Sequence, residues 1–153
     1  MVARASLPGG ARSDTVTSFL GNDLPVDRRH PVPASDHTIL VVDDDDNARR
    51  LVARLLEEAG YAVLEAPHPH RALELGREHA ATIRLLLTDV RMPKMGGVEL
   101  ARRFTALAPA ARVLLMSGYF GSGELEHPLL PKPFTARELL GAVADLLPVA
   151  VSR

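Results

Sequence analysis

"ILVVDDDDN" (Ile39–Asn47) decides how this chain is read. Aliphatic residues run straight into consecutive carboxylates. The apolar half reads as a buried strand, and like charges crowded at its end repel one another unless something positive is brought to them. The reading therefore turns on which positive group meets Asp43 and Asp44, and on what the rest of the chain places at the same spot.

Working outward, short apolar runs alternate with helical periods. Residues 47–59 have helical spacing, with Leu51, Val52, Leu55, Leu56 and Ala59 assigned to one face and Gly60 as the stop. "YAVLEA" reads as a second strand and "HRALELGREHA" as a weaker helix. "IRLLLTD" is a third strand, whose continuous leucines predict burial on both faces. "GVELARRFTALA" predicts a helix with Val98, Ala101, Phe104 and Leu107 along one stripe. "RVLLMS" and "PLLPK" are a fourth and a brief fifth strand. "TARELLGAVADLL" is a last helix, opened by Thr135 and Glu138 at capping-box spacing. Strand–helix alternation implies an α/β domain with parallel strands, right-handed crossovers and helices on both faces.

In such sheets the ligand site lies at the carboxyl ends of the strands. That rule gathers Asp43 and Asp44 from strand 1, Asp89 from strand 3, Ser117 from strand 4 and Lys132 from strand 5. Arginine occurs 16 times and lysine only at Lys94 and Lys132. A compact ammonium in so Arg-rich a chain suggests a specific need at Lys132, whereas Lys94 reads as chance. Carboxylates without His or Cys suit a hard cation, Mg2+ above all. An ammonium and a hydroxyl nearby would bind the same phosphate oxygens that Mg2+ binds. The rim thus reads as a place to hold a phosphoryl group, and a carboxylate there can attack phosphorus to form an acyl phosphate.

Composition narrows the alternatives. At 153 residues, 46% hydrophobic, the chain suits one domain with some chain to spare. A net charge of −1 gives no general case for nucleic acid. The absence of cysteine removes disulfides and thiolate chemistry. No apolar run is long enough to cross a membrane and no signal peptide is evident, so a cytoplasmic protein is expected. Residues 1–36, rich in proline, read as a disordered tail or linker, 37–148 as the folded domain and 149–153 as a short C-terminal tail. Asp45 and Asp46 read as solvated helix-capping residues, "HPH" at His68–His70 as a surface loop, Met92 and Met95 as loop packing, and "ARR" at 101–103 as a solvated helix face.

"ILVVDDDDNARRLV", "LLLTDVRMPKMGG", "VLLMSGY" and "LPKPF" together resemble the response-regulator receiver domain of two-component signalling, in order and in spacing, over about residues 38–147. The resemblance implies a flavodoxin-like, doubly wound sheet of five parallel strands in the order 2-1-3-4-5. It implies that Asp89 accepts a phosphoryl group from a sensor histidine kinase or histidine phosphotransfer protein. Asp43, Asp44 and Asp89, with the backbone carbonyl of Arg91, would hold Mg2+. Ser117 matches the switch hydroxyl and Lys132 the lysine that pairs with the phosphoryl group. The Lys132–Pro133 bond is usually cis in that family. No enzymatic turnover beyond self-directed phosphotransfer and autodephosphorylation is implied. A stand-alone receiver is expected, acting through contacts with an unknown downstream protein or as a phosphate sink, without nucleic acid or membrane insertion.

The chain departs from the family pattern in three ways. Leu129 stands where an aromatic switch residue is common. Ser117, followed by Gly118, replaces the commoner threonine. Residues 118–131 make a span several residues shorter than usual, with glycines and a proline, so helix 4 is expected to be shortened or absent. Two other readings compete: a phosphatase resembling the haloacid dehalogenase family, with the acidic pair drawn from Asp43–Asp45, and a non-phosphorylated interaction module. The phosphatase reading leaves Asp89 without a role and lacks an acidic pair after Lys132.

Overall fold

Strand β1 (Thr38–Val42) is buried along its whole length. The computed structural model, which describes residues 37–118 and 125–147, arranges the domain around it. The elements continue as α1 (Asp46–Glu58), β2 (Ala62–Ala66), α2 (Pro69–His79), β3 (Ile83–Asp89), α3 (Gly97–Leu107), β4 (Arg112–Ser117), β5 (Leu129–Pro131) and α4 (Ala136–Leu146). All pairings are parallel, and the strand order is β2-β1-β3-β4-β5. The tails expected at residues 1–36 and 149–153 lie outside the described residues.

Side-chain alternation explains the layers. Ile39 and Val41 of β1 face one side with Leu85, Leu87, Leu114 and Met116, where α1 adds Val52 and Leu56 and α4 adds Leu139 and Val143. Leu40, Val42, Leu86 and Leu115 face the other side, against Ala72, Leu73 and Leu75 of α2 and Leu100, Ala101 and Phe104 of α3. The α2–α3 contact is close: a Cβ added at Gly76 would sit 2.8 Å from the Phe104 ring. Burial on both faces is why β1 and β3 read as unbroken apolar runs rather than alternating ones.

The helix ends follow their local chemistry. The Asp45 side chain accepts from the amides of Asn47 and Ala48 at the start of α1, and Gly60, at φ 103°, takes the left-handed turn after its end. Thr135 and Glu138 form the expected capping box on α4. Lys132–Pro133 is cis.

Three helical details differ from expectation. Leu51 and Val98 are exposed (58% and 46%) rather than on the buried stripes. The buried stripe of α1 is Arg49, Val52, Ala53 and Leu56, rotated from the predicted face because an arginine heads it. The "HPH" segment is not loop: His68 caps α2 by accepting from the Arg71 amide, and Pro69 occupies the first turn, where its missing N–H costs nothing. Between β4 and β5, residues 118 and 125–128 are non-helical, in keeping with a shortened or absent helix 4. Residues 119–124, including Tyr119 and Phe120, lie outside the described residues.

Candidate functional site

The carboxyl ends of β1, β3 and β4 and the start of the β5–α4 loop meet on one rim. Each residue is carried there by main-chain pairing. Val42 of β1 pairs with Thr88 of β3, so Asp43 and Asp89 leave adjacent strands side by side. Asp89 pairs with Met116, which puts Ser117 one step further along β4. The Lys132 amide donates to the Ser117 carbonyl at 2.8 Å, continuing the β4–β5 ladder and setting Lys132 beside the acids.

Carboxylate oxygens of Asp43, Asp44 and Asp89 lie within 4.8 Å of one another. The Lys132 Nζ donates to Asp43 Oδ2 at 3.3 Å and lies 3.4 Å from Asp89 Oδ1. Asp43 is buried to 1% exposure and Ser117 to 2%, whereas Asp44 is exposed. Asp43 accepts on both oxygens, since the Asp45 amide donates to Oδ1 at 3.0 Å. Its carboxylate is therefore largely committed to the protein, and Asp44 is the more available ligand. Arg91 lies in the loop leaving Asp89, on the same rim.

Electrostatics follow from this crowding. Burial pushes the Asp89 carboxyl above its ordinary value; the Lys132 ammonium opposes the rise and the Asp43 charge adds to it. Burial alone would lower the Lys132 pKa, but Asp43 and Asp89 outweigh it and hold the ammonium above its usual value. Three carboxylates against one ammonium leave two negative charges uncompensated, which is the charge of one divalent cation. An all-oxygen donor set of that net charge fits a hard ion such as Mg2+.

Close packing shapes the rim further. The Gly97 amide donates to the Val90 carbonyl at 2.8 Å. A Cβ on Gly97 would lie 2.1 Å from the Asp89 carbonyl oxygen, so α3 can start against the end of β3 only with glycine there. Met95 is buried and Met92 packs against the core, so both serve loop packing. A groove of about 470 Å3 opens beside the site, lined by Asp43, Lys132, Leu51, Val52, Met116 and Phe134 among others. Arg102 and Arg103 are exposed and pair with Glu99 on their own helix, in keeping with a solvated face.

Every residue expected at the strand ends is on the rim. One was not anticipated. Arg49 is buried and makes three contacts: Nη1 donates to the Asp43 carbonyl at 3.0 Å and to Asp46 Oδ1 at 2.8 Å, and Nε donates to Glu65 Oε1 at 3.1 Å. The acidic run thus meets two positive groups, Lys132 and Arg49. The signal was present: stepping back one turn along the stripe of Val52, Ala53 and Leu56 lands on Arg49.

Comparison with known proteins agrees with this geometry. A family model for the response regulator receiver domain matches residues 39–144. The response regulator receiver protein CpdR of Brucella abortus (strain 2308) is 34% identical over 116 residues, covering 71% of this chain and 95% of that protein. The sensor kinase CckA of the same organism is 32% identical over 117 residues, which are 72% of this chain but only 12% of the kinase. The crystal structure of the receiver domain from the hybrid histidine kinase CckA superposes with a TM-score of 0.66 at 39% identity, over 72% of this chain and 98% of that one. No helix among the described residues is long and apolar enough to cross a membrane. With a family model over most of its length and a relative matched almost end to end, the chain belongs to the response regulator receiver family of two-component signalling.

Proposed function

We propose that Asp89 is the phospho-acceptor, taking a phosphoryl group from a phosphohistidine donor in a Mg2+-dependent reaction. The observation that carries this reading is the convergence of Asp89 with Asp43, Asp44 and Lys132 within a few ångströms. An Asp89 Oδ attacks phosphorus, the phosphorus–nitrogen bond of the donor breaks, and its electron pair leaves with the imidazole nitrogen, which takes a proton from solvent. An acyl phosphate remains on Asp89. Asp44 and Asp89 would hold the metal directly, Asp43 less directly, and the Arg91 carbonyl would complete the protein ligands. When bound, Mg2+ neutralises the carboxylates and so lets a phosphate anion approach them. Lys132 is close enough to Asp89 to pair with an incoming phosphoryl oxygen, and Ser117 is the hydroxyl one register step away.

The donor we propose is a sensor histidine kinase or a histidine phosphotransfer protein. The groove beside Lys132, with the apolar side chain of Leu51 exposed at its edge, supports a partner that presents an apolar helix along α1. Membership of the receiver family supports this reading over the phosphatase alternative, which also leaves Asp89 idle. Output through protein contacts is the remaining element of the reading, with the downstream partner unnamed.

Intact-mass measurement after incubation with acetyl phosphate and Mg2+ tests the assignment. One added phosphoryl group is expected, lost on addition of EDTA before the donor and absent in Asp89→Asn. Equal labelling of Asp89→Asn would sink it, and no labelling of the native chain would favour the non-phosphorylated interaction module.

A further inference from the structure

We propose that Arg49 is a positioning residue for the acidic pair, fixing the corner from Asp43 to Asp46 so that Asp44 is held ready for a divalent cation. The inference rests on the reading of the acidic cluster as a Mg2+ site. Its own observation is the three-way grip of one buried guanidinium. Nη1 holds two points of the corner at once, the Asp43 carbonyl and the Asp46 carboxylate. Asp44 sits between those two points. Nε ties the same group to Glu65 on β2, outside the site. The Asp45 amide closes the remaining freedom by donating to Asp43 Oδ1.

The residue type matters as much as the charge. A guanidinium is planar and offers donors in a fixed fork, so one group can satisfy acceptors just after β1, on α1 and on β2 together. A lysine at the same place keeps the charge but concentrates its donors on one nitrogen. Coulomb attraction is not the point, because a positive charge behind a cation site opposes the cation. What Arg49 contributes is prior order: a ligand already held in place loses less freedom when the metal binds. It acts through Asp43 and Asp46 and is not placed against the substrate.

The test must separate position from charge, so two charge-conserving variants are used. Arg49→Lys keeps the cation and loses the fork. Glu65→Asp keeps the anion and withdraws the outer anchor at a partly exposed position, where a shortened side chain leaves no core cavity. Mg2+ alone is titrated into the full chain by calorimetry, and amide hydrogen exchange of residues 44–46 is followed without metal. Arg49→Lys should weaken Mg2+ binding roughly tenfold, the lower end for residues that orient metal ligands, with faster exchange at the corner. Glu65→Asp should shift both readings in the same direction by less. If Arg49→Lys does not fold, Glu65→Asp decides. Native Mg2+ affinity and exchange in the folded variants would overturn the proposal while leaving the Mg2+ site standing, as would lowered thermal stability with unchanged affinity. Failure of the native chain to bind Mg2+ would overturn the site and the proposal together.

Discussion

Asp89 carries two demands that conflict. It is partly buried among like charges, yet the phosphoryl transfer proposed for it needs the ionised form. Its folded-state pKa is raised, chiefly by burial. A carboxyl of that kind stabilises the fold while protonated, so its contribution is full below the unfolded pKa and is lost as pH rises through the raised folded one. Metal-free protein should therefore lose stability as pH rises from the ordinary carboxylate pKa through the raised folded one. Urea denaturation in EDTA at stepped pH should show this slope in the native chain and a flatter one in Asp89→Asn, and Mg2+ should reverse it by binding the folded state. Lys132 calls for a separate test. Lys132→Arg should retain Mg2+ binding but respond weakly to beryllofluoride, which stands in for the phosphoryl group, because a planar guanidinium does not fit where a compact ammonium contacts two carboxylates. A native beryllofluoride titration would contradict this. The rim residues were legible in the sequence because strand ends in a parallel sheet have a known meeting place. Arg49 was not, because an arginine is read as surface by default, and only its spacing against Val52 and Leu56 marks it as buried.

At the scale of elements, the strands were legible nearly to the residue; for β1, β3 and β4 this is because burial on both faces leaves uninterrupted aliphatic runs. Helix faces were less so. Val98 looked like core, but the turn that starts α3 at Gly97 aims Leu100, Ala101 and Phe104 inward and leaves Val98 outside. That start is itself a test. Gly97→Ala must displace the end of β3, since its Cβ would collide with the Asp89 carbonyl. A loss of about 1–3 kcal/mol in denaturant unfolding is expected, as for other overpacked sites, together with slower labelling by acetyl phosphate. Leu51 gives the opposite kind of prediction, with stability unchanged and partnering impaired. Leu51→Glu should leave acetyl phosphate labelling intact. Transfer from a phosphorylated histidine-containing donor should slow roughly tenfold, consistent with the roughly 1.5–3 kcal/mol attached to burying a leucine side chain. Equal transfer rates for the two proteins would remove α1 from the docking surface.

For the whole molecule, the position of the site follows from strand order rather than from any local motif. The chain places β1 between β2 and β3 and adds β4 and β5 on one side, so the first and last strands contribute to one rim without being neighbours. The short link from β4 to β5 was legible by counting residues, since a full helix needs more chain than 118–128 offers beside its glycines. The contact between Lys132 and Asp43 spans 89 positions, and the loop entropy of so long a closure predicts that it forms after the nearer ones. If β1, β2 and β3 pair first, the carboxylates of β1 and β3 are brought together while the ammonium is still far along the chain. Until β5 docks, the acids face one another with Lys132 absent. On that order, the partly folded chain would be the species with the greatest unrelieved repulsion. A cation captured at that stage would act as a template for the rim before the last strand arrives. Refolding of the native chain would then be accelerated by Mg2+, whereas most bound ligands merely retard unfolding.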